Sequence, residues 1–484
     1  MRAGLGSIDA QRSDMTAAIV EELRRRIGAD RVETEVSDAH RHDQWVMSIL
    51  RALEQRAARP ACVVRPRATA QVAAILELAG QQRVPVVPYG AGSGVCGGAV
   101  GPEGALVVDL RAMNRIVALN EVALSVTVEP GVMGAELERW LRERGYTMGH
   151  FPQSIDISSV GGWVSTRSSG QFSTKYGNIE DMLLAFEAVL PGGTVVRTRP
   201  VPRSACGPDL RALFLGSEGT LGILTEATLR VHPKPEASDQ RALAFADVHA
   251  GLEAIREIVR VGWKPAVVRL YDAVEAARNF TGAAPDGSAL LLFFTEGPPA
   301  LVDAETAAVL EVCSRHGAAE CATSAVTQWL DHRNRVPSFE SFLERGIVVD
   351  TIEVATAWDR IHDLYEGVVG ALRAIDGVLV ASAHSSHSYT QGTNLYFSFA
   401  ARPESMRDAE ALYFRCWQAA MEATLAAAGT ISHHHGIGRL RAGWMRRELG
   451  SAYELLVALK RALDPHGIMN PGAVLDSEAA SGKA

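Results

Sequence analysis

Cysteine is scarce in this sequence. Six of the 484 residues are cysteines, and none of them forms a CxxC pair. A disulfide framework or a structural zinc site needs paired, closely spaced cysteines. The sequence therefore favours buried or unused thiols in a reducing compartment, and we expect a cytoplasmic protein.

Long hydrophobic runs are absent as well. No run of about 18 apolar residues occurs, and the N-terminal stretch MRAGLGSIDAQRSDMTAAIVEELRRR lacks the apolar core of a secretory signal. The formal net charge of −8 gives no whole-chain attraction to nucleic acid. We expect neither a membrane span nor a nucleic-acid partner, and peripheral contact with a membrane surface stays open.

What is present fits a globular protein with more than one domain. The 484 residues are 47% hydrophobic and 21% charged, which is long for a single core. Strand and helix patterns up to about residue 235 predict a compact α+β domain. Strands and long helices over 236–430 predict an α/β domain with an antiparallel sheet. Residues 431–484 return to dense glycine and histidine.

A glycine-rich loop follows a strand predicted at 84–88. The loop reads PYGAGSGVCGG from Pro88 to Gly98. Glycines let backbone N–H groups crowd around a cluster of oxyanions, such as a pyrophosphate. No acidic residue clearly follows about 20 positions later and no helix obviously follows, so this is not a dinucleotide fingerprint. By itself the loop is equally compatible with a plain turn.

Two further segments combine glycine with hydroxyl side chains. Residues 152–181 read PQSIDISSVGGWVSTRSSGQFSTKYGNIED, and residues 216–223 read GSEGTLGI. Backbone donors and hydroxyls together suit a flat polar ligand. Three such loops in one domain predict a large ligand with phosphates and an edge rich in hydrogen-bond acceptors.

In this order the three loops resemble the flavin-binding domain of the vanillyl-alcohol oxidase type, over roughly residues 60–475. The resemblance implies an α+β fold, a two-part FAD-binding domain (1–235 and 431–484) with an inserted α/β substrate or cap domain (236–430). It implies that the first loop holds the FAD pyrophosphate and that the other two wrap the isoalloxazine and adenine ends. Some relatives attach FAD through a histidine where this chain has Val95 and Cys96, so we expect non-covalent FAD. The residues assigned to FAD in this way are Pro88, Gly90, Ala91, Gly92, Ser93, Gly94, Pro152, Asp156, Ser159, Gly161, Gly162, Ser165, Thr166, Ser169, Gly170, Tyr176, Gly177, Glu218, Gly219, Gly222 and Ile223.

Two classes of enzyme compete within this family. FAD-linked dehydrogenases of 2-hydroxy acids such as D-lactate and glycolate carry segments resembling HxGDGNxH and GEHGIG. Their histidines and glutamate are implied ligands of a divalent metal. Alkylglycerone-phosphate synthase instead exchanges an acyl chain for a fatty alcohol, using FAD without net redox change. Its signatures resemble VGGWVSTRSSG, KYGNIED, GSEGTLGILTEAT and SHHHGIG of this chain.

At two positions that differ between the dehydrogenases and the synthase, the chain resembles the synthase. Tyr396, in GTNLY, stands in place of a metal-binding histidine, and His434, in HHHGIG, stands in place of the glutamate. The site thereby loses one imidazole and its only carboxylate, and we expect no metal. His384 and His387, in AHSSHSY, keep a weaker metal alternative.

The resemblance implies catalytic roles for Tyr396, His433, His434 and His435, which would carry protons to and from the reacting oxygen. Adjacent residues of an extended segment point to opposite sides, so we expect His433 with His435, or His434 alone, to face one ligand. In the strand LYFSF, alternation places Tyr396 and Ser398 on one face. A buried tyrosine hydrogen bond and structural histidines are the alternatives.

An anion contact completes the predicted site. Arg269, in VVRLYD, matches a synthase arginine and is implied to bind anionic substrate, with a surface ion pair as the alternative. A second synthase arginine has no clear counterpart among Arg333, Arg335 and Arg345. The resemblance implies an enzyme of ether lipid synthesis that acts on a small or lipid-like substrate. We also expect a homodimer. An FAD-linked oxidoreductase of a 2-hydroxy acid or an alcohol is the alternative.

Overall fold

Two sheets form the N-terminal part of the chain in the computed structural model, which describes residues 17–476. In the first, Cys62–Val64, Leu106–Asp109 and Val86–Tyr89 pair in parallel, and Val32–Glu33 adds an antiparallel edge. Parallel sheets are covered on both faces, which suits the buried runs CVV and LVVD. The second sheet is antiparallel, with the order Ile116–Asn120, Ser125–Val128, Ile223–Arg230, Leu183–Val189 and Val195–Arg197.

Short helices and one small ribbon connect these sheets. The ribbon pairs Tyr146–Thr147 with His232–Pro233. The α-helices are 17–27, Val46–Leu53, Thr69–Gln82, Gly134–Arg142, Val160–Thr166, Ser173–Tyr176, Ile179–Met182 and Arg211–Phe214. Of the helix predicted at 13–28, residues 13–16 lie outside the described range. The strand Val86–Tyr89 leads through the first glycine loop to another strand, without an intervening α-helix, so the dinucleotide fingerprint is absent as expected.

A single sheet of seven antiparallel strands organises the middle of the chain. Its order is Ala319–Glu320, Ala237–Phe245, Ala289–Gly297, Val267–Tyr271, Val378–Ser385, Gly392–Ala401 and Val348–Ala357. The α-helices of this part are Val248–Arg260, Ala273–Asn279, Pro299–Arg315, Ser324–His332, Phe339–Glu344, Ile361–Arg373 and Ala409–Ala426. Within residues 17–476 no helix is both long and apolar enough to cross a bilayer.

The two faces of this sheet have different neighbours. Leu395, Phe397 and Phe399 are buried in one core with the helices Val248–Arg260 and Ile361–Arg373. Leu292 and Phe294 belong to a second core, shared with the N-terminal part. Because side chains alternate along a strand, the second face of the sheet is turned towards the three glycine loops.

The C-terminal segment returns to the first sheet. After the helices Met445–Leu449 and Ala452–Leu463, Met469 forms an isolated parallel bridge with Val86. The Val86 N–H donates to the carbonyl of Ile468 at 2.8 Å, and the Asn470 N–H donates to the carbonyl of Val86 at 2.8 Å. The segment is thereby hydrogen-bonded to the edge strand Val86–Tyr89, directly before the first loop.

Candidate active site

A cavity of about 720 Å³ lies between the glycine loops and the seven-stranded sheet. One wall, the loop wall, is formed by residues of 88–99, 152–171 and 218–224. The opposite wall, the sheet wall, carries Arg269, Glu275, His384 and Tyr396. Its volume is that of a cofactor or substrate site.

Glycines let the three loops of the loop wall approach one another. A methyl group on Gly219, whose φ is +73°, would lie 2.5 Å from Cγ of Pro88, so the first and third loops touch there. A methyl group on Gly90 would lie 2.6 Å from the Ser159 hydroxyl, where the first loop meets the second. Any larger side chain at these positions would push the loops apart, and glycine and serine residues therefore make up a large part of this wall.

All but four of the predicted FAD residues line this cavity. Those lining it are Pro88, Gly90, Ala91, Gly92, Ser93, Gly94, Pro152, Ser159, Gly161, Gly162, Ser165, Thr166, Ser169, Glu218, Gly219, Gly222 and Ile223. Asp156 lines a separate cavity beside Arg142, and the Tyr176 hydroxyl donates to Glu296. Gly170 packs on the backbone of Phe151, and Gly177, at φ +84°, ends the helix Ser173–Tyr176. These four residues belong to the second loop segment, 152–181, but do not line the cavity.

On the sheet wall, strand register aligns four polar side chains in one row. Tyr271 lies opposite His384, His384 opposite Tyr396, and Tyr396 opposite Glu353. Directly opposed residues of antiparallel strands project from the same face. The rings of His384 and Tyr396 stack with centroids 4.7 Å apart. Tyr396 and Ser398 both line the cavity, and the predicted alternation of LYFSF therefore agrees with the structure.

Arg269 belongs to the cavity and not to a surface ion pair. Its Nη2 donates to Nε2 of His384 at 2.8 Å, and its Nε donates to the Tyr271 hydroxyl at 2.5 Å. A guanidinium only donates, so Nε2 of His384 accepts and its Nδ1–H donates to Glu275 at 2.7 Å. Burial, together with the charge of Arg269, lowers the pKa of His384 to about 4. Both named partners are neutral, so neither of them neutralises the positive charge of Arg269.

The three consecutive histidines lie on a bend, which differs from the expected extended segment. The backbone N–H groups of His433, His434 and His435 all donate to the carboxylate of Glu353, at 3.3, 3.3 and 2.5 Å. Because the three N–H groups point to one carboxylate, the backbone is curved and successive side chains do not alternate strictly between two sides. His434 and His435 line the cavity together, whereas His433 does not and places Nε2 2.7 Å from the Tyr389 hydroxyl. The expected pairing of His433 with His435 is therefore wrong.

Glu353 itself is part of a fully buried ion pair. Its Oε1 accepts from Nη1 of Arg441 at 2.9 Å, and neither side chain is exposed. Burial alone would raise the pKa of Glu353, but the charge of Arg441 outweighs it and holds that pKa below its ordinary value. The carboxylate stays ionised and fixes the histidine bend against the sheet.

Sequence reasoning missed Glu353 and left Arg333 unassigned. Glu353 and Asp350 are two acids in the otherwise apolar strand VVDTIEVATA, a pattern that indicates paired or functional carboxylates. Of the three arginines considered, Arg333 lines the cavity, and its Nη1 donates to Oε1 of Gln171 at 2.8 Å. Burial, and then the charge of Arg142, lowers the pKa of Arg333 to about 10.

Comparison with known proteins identifies the family. Residues 60–199 match the FAD binding domain, and residues 234–474 match the C-terminal domain of FAD linked oxidases. The chain belongs to the FAD-linked oxidase family. An uncharacterized FAD-linked oxidoreductase of Escherichia coli O157:H7, YgcU, is 36% identical to this chain over 96% of the chain and 99% of that protein.

Other similar proteins carry synthase names. The alkyldihydroxyacetonephosphate synthase of Dictyostelium discoideum is 30% identical over 85% of this chain and 72% of that protein. A solved alkyldihydroxyacetonephosphate synthase superposes with a TM-score of 0.77 at 26% identity, covering 94% of this chain and 85% of that one. The prediction of a vanillyl-alcohol oxidase type fold is confirmed, and so is the resemblance to the synthase.

These matches also confirm that the protein is an FAD enzyme. The loop wall fits such a cofactor, because its glycine contacts leave backbone N–H groups and the hydroxyls of Ser159, Ser165 and Thr166 facing one cavity. On the opposite side of the third loop, Glu218 accepts the N–H groups of Ile437 and Gly438, at 2.6 and 2.9 Å. The C-terminal segment thus braces the loop that would hold the cofactor.

Proposed function

We propose that this flavoenzyme exchanges the acyl chain of acyl-dihydroxyacetone phosphate for a fatty alcohol, as an alkylglycerone-phosphate synthase does. One observation carries the proposal. The side chains proposed to act, Tyr396, His434, His435, Arg269 and Arg333, line a single cavity together with apolar side chains. Bound FAD would supply the electron-rich and electron-poor ring positions that activate the substrate, with no net change of redox state.

Tyr396 is the proposed proton donor. Burial raises the pKa of Tyr396 above its ordinary value, so the phenol keeps its proton at neutral pH. Its ring centroid lies 5.3 Å from that of His435, and both side chains face the cavity. A protonated phenol in reach of a leaving oxygen is a general acid.

His434 and His435 are the proposed proton acceptors. Burial lowers the pKa of His434 to about 3 and that of His435 to about 4, with the charges of neighbouring groups as further causes. Both imidazoles are therefore unprotonated at neutral pH and have a free nitrogen for the proton that an incoming alcohol must lose, although the lowered pKa makes them weak bases. A donor and an acceptor within one cavity serve an exchange, which needs one proton given and one taken.

Arg269 and Arg333 are the proposed contacts for the phosphate. Both line the cavity, and their hydrogen-bond partners named above, His384, Tyr271 and Gln171, are neutral. Arginine binds phosphate oxygens with paired hydrogen bonds. The apolar residues Ile157, Val336 and Phe339 line the same cavity, and Ile157 and Val336 are among the exposed large hydrophobic side chains. An anionic head with an apolar chain, as in the acyl substrate, suits both features.

Oxidation of a 2-hydroxy acid or an alcohol is the second candidate. The glycolate oxidase subunit GlcD of Bacillus subtilis is 27% identical over 88% of this chain and 92% of that protein. The same arginines would hold a carboxylate, and a neutral His434 would accept the hydroxyl proton. Under either reaction we propose that FAD is held without a covalent bond, because Val95 and Cys96 face the cavity where a histidine would be needed.

A purified flavoprotein separates the two candidates. Without oxygen, it would be mixed first with D-lactate and glycolate, then with acyl-dihydroxyacetone phosphate and a long-chain alcohol. Ether lipid detected by mass spectrometry, with the flavin spectrum restored at the end, is the expected result. Bleaching of the flavin by a hydroxy acid, without ether product, would replace the synthase by the oxidoreductase.

The setting of the reaction follows from the same proposal. We propose a cytoplasmic homodimer that takes a lipid-like substrate from a membrane surface without spanning the membrane. Sedimentation of the purified protein would show twice the mass of 51.9 kDa. Binding to lipid vesicles would test the contact with the membrane.

A further inference from the structure

The imidazoles of His387, His433 and His434 lie close together beside the cavity, in an arrangement that could hold a metal ion. The sequence, in contrast, predicted no metal site. The ligand nitrogens of His387, His433 and His434 all lie within 4.8 Å of one another. The Nδ1 atoms of His433 and His434 are 2.9 Å apart. His387 follows the strand Val378–Ser385, whereas His433 and His434 lie on the bend held by Glu353.

Two of the three rings are oriented through the nitrogen that faces away from the cluster. Nδ1 of His387 lies 2.7 Å from the Ser173 hydroxyl, and Nε2 of His433 lies 2.7 Å from the Tyr389 hydroxyl. The Tyr389 oxygen also accepts from Nδ2 of Asn178 at 2.8 Å. Metal-binding histidines characteristically have their second nitrogen fixed by such an outer partner, which directs the first nitrogen at the ion.

The spacing is close to what a tetrahedral ion requires. Zinc binds imidazole nitrogen at about 2.0–2.1 Å, which holds neighbouring ligand nitrogens about 3.4 Å apart. Nitrogens within 4.8 Å of one another reach that spacing by small rotations of the rings. The short distance between His433 and His434 requires either one proton between the two nitrogens or a cation that both bind.

We propose that His387, His433 and His434 form a site for a divalent transition-metal cation such as Zn²⁺ or Co²⁺. Three imidazoles without a carboxylate suit these metals and not Mg²⁺ or Ca²⁺. His387 and His434 line the cavity, so the open coordination position faces the ligand, as in catalytic sites with three protein ligands. The site differs from the predicted absence of metal because it uses His387 and His433 in place of the lost imidazole and carboxylate.

The protonation of the rings is consistent with this site. Burial, and then the charges of neighbouring histidines, lowers the pKa of His387 well below its ordinary value and that of His433 to about 3. At neutral pH the imidazoles are unprotonated, and a cation does not compete with protons for them. With the cation bound, His434 is a ligand, so the proton acceptor in either reaction considered above is His435.

Co²⁺ titration of the metal-free flavoprotein tests the proposal directly. We expect one equivalent of Co²⁺ to bind, with ligand-field bands at wavelengths beyond those of the flavin. His387→Gln and His433→Gln should each abolish these bands while keeping the flavin spectrum and the melting temperature. Failure of the wild-type protein to bind, or bands that persist in both variants, would overturn the site.

A second pair of histidines provides the matched control. Nδ1 of His249 lies 2.7 Å from Nδ1 of His362 on the surface, with Glu366 and Glu253 behind the two rings. His249→Gln should leave Co²⁺ binding intact. If binding is lost in His249→Gln and retained in His387→Gln, the ion belongs to this surface pair and the proposal is wrong.

Ser173→Ala keeps the test decisive if a histidine variant fails to fold. It removes only the outer partner of His387, and such changes weaken metal binding by about 10–100-fold. An unchanged Co²⁺ affinity in this variant would contradict the orientation on which the site depends.

Discussion

The two walls of the cavity are built from different chemistry. The loop wall is backbone, glycine and hydroxyl, and its fixed geometry comes from contacts such as Gly219 on Pro88. The sheet wall is ionisable side chains, with Tyr396, His384 and Glu353 aligned by strand register. A cofactor that stays bound is held by groups that do not titrate, whereas proton transfer needs groups that do. Substitutions on the two walls should therefore change different measurements.

The largest effect is expected from Glu353, which supports the sheet wall. Glu353→Gln leaves Arg441 buried without its counter-charge, and breaking a buried pair costs about 3–5 kcal/mol. Because the pKa of Glu353 is lowered in the folded protein, the pair stabilises fully above the ordinary value of 4.5 and less as the pH falls below it. Urea unfolding should show a large loss at pH 7 and a smaller one in acid. The exposed Glu366→Gln should change little.

Tyr396→Phe is expected to show most clearly that the sheet wall affects turnover and the loop wall affects cofactor binding. Loss of a general acid lowers the rate by about 10²–10⁴-fold, while FAD content and melting temperature should remain unchanged. Turnover measured at saturating substrate, beside the flavin spectrum, checks both expectations. Tyr365→Phe removes a phenol that donates to Asp272 outside the cavity and should keep its rate. Equal rates for the two variants would remove Tyr396 from the proposed mechanism.

Arg333→Gln should affect substrate binding more than chemistry. A hydrogen bond to a charged group contributes about 1.5–3 kcal/mol, so KM for an anionic substrate should rise about 10–100-fold at similar kcat. Arg335→Gln, two residues away and exposed, is the matched control. An unchanged KM in Arg333→Gln would assign the anion to Arg269 alone.

The last prediction concerns the difference between two glycines of the N-terminal part, Gly219 and Gly104. Gly219 and Gly104 have φ values of +73° and +75°, but a methyl group clashes only at Gly219. Alanine costs about 1–2 kcal/mol of backbone strain at either position, and crowding adds about 1–3 kcal/mol at Gly219. Gly219→Ala should also lose FAD affinity, measured by fluorescence titration, and Gly104→Ala should not. Equal affinities would show that the loop contact is unimportant for the cofactor.

The sequence predicted the loop wall better than the sheet wall, for a physical reason. Glycine and serine in PYGAGSG and VGGWVST are local signals, because backbone conformation depends on neighbouring residues. The alternation of Tyr396 with Phe397 is also local and was predicted correctly.

The sheet wall depends on pairings between distant segments, which no local pattern shows. Tyr271 and its cross-strand partner His384, for example, lie on strands that are separated by five α-helices in the chain. The bend of His433 to His435 is imposed by Glu353, some 80 residues earlier, and for this reason the expectation of an extended segment failed. Likewise, only the fold shows that Arg333 and not Arg335 faces the cavity.

The bridge between Met469 and Val86 has a consequence for how the protein is made. Asn470 also ties the carbonyls of Gly98 and Glu218 together, at 2.8 and 2.7 Å. A ribosome releases the first and third loops long before it reaches this residue. The nascent chain therefore contains its glycine loops early but lacks the Asn470 side chain, whose hydrogen bonds set the spacing of the first and third loops. Capture of FAD would therefore follow synthesis of Asn470, 252 residues after Glu218.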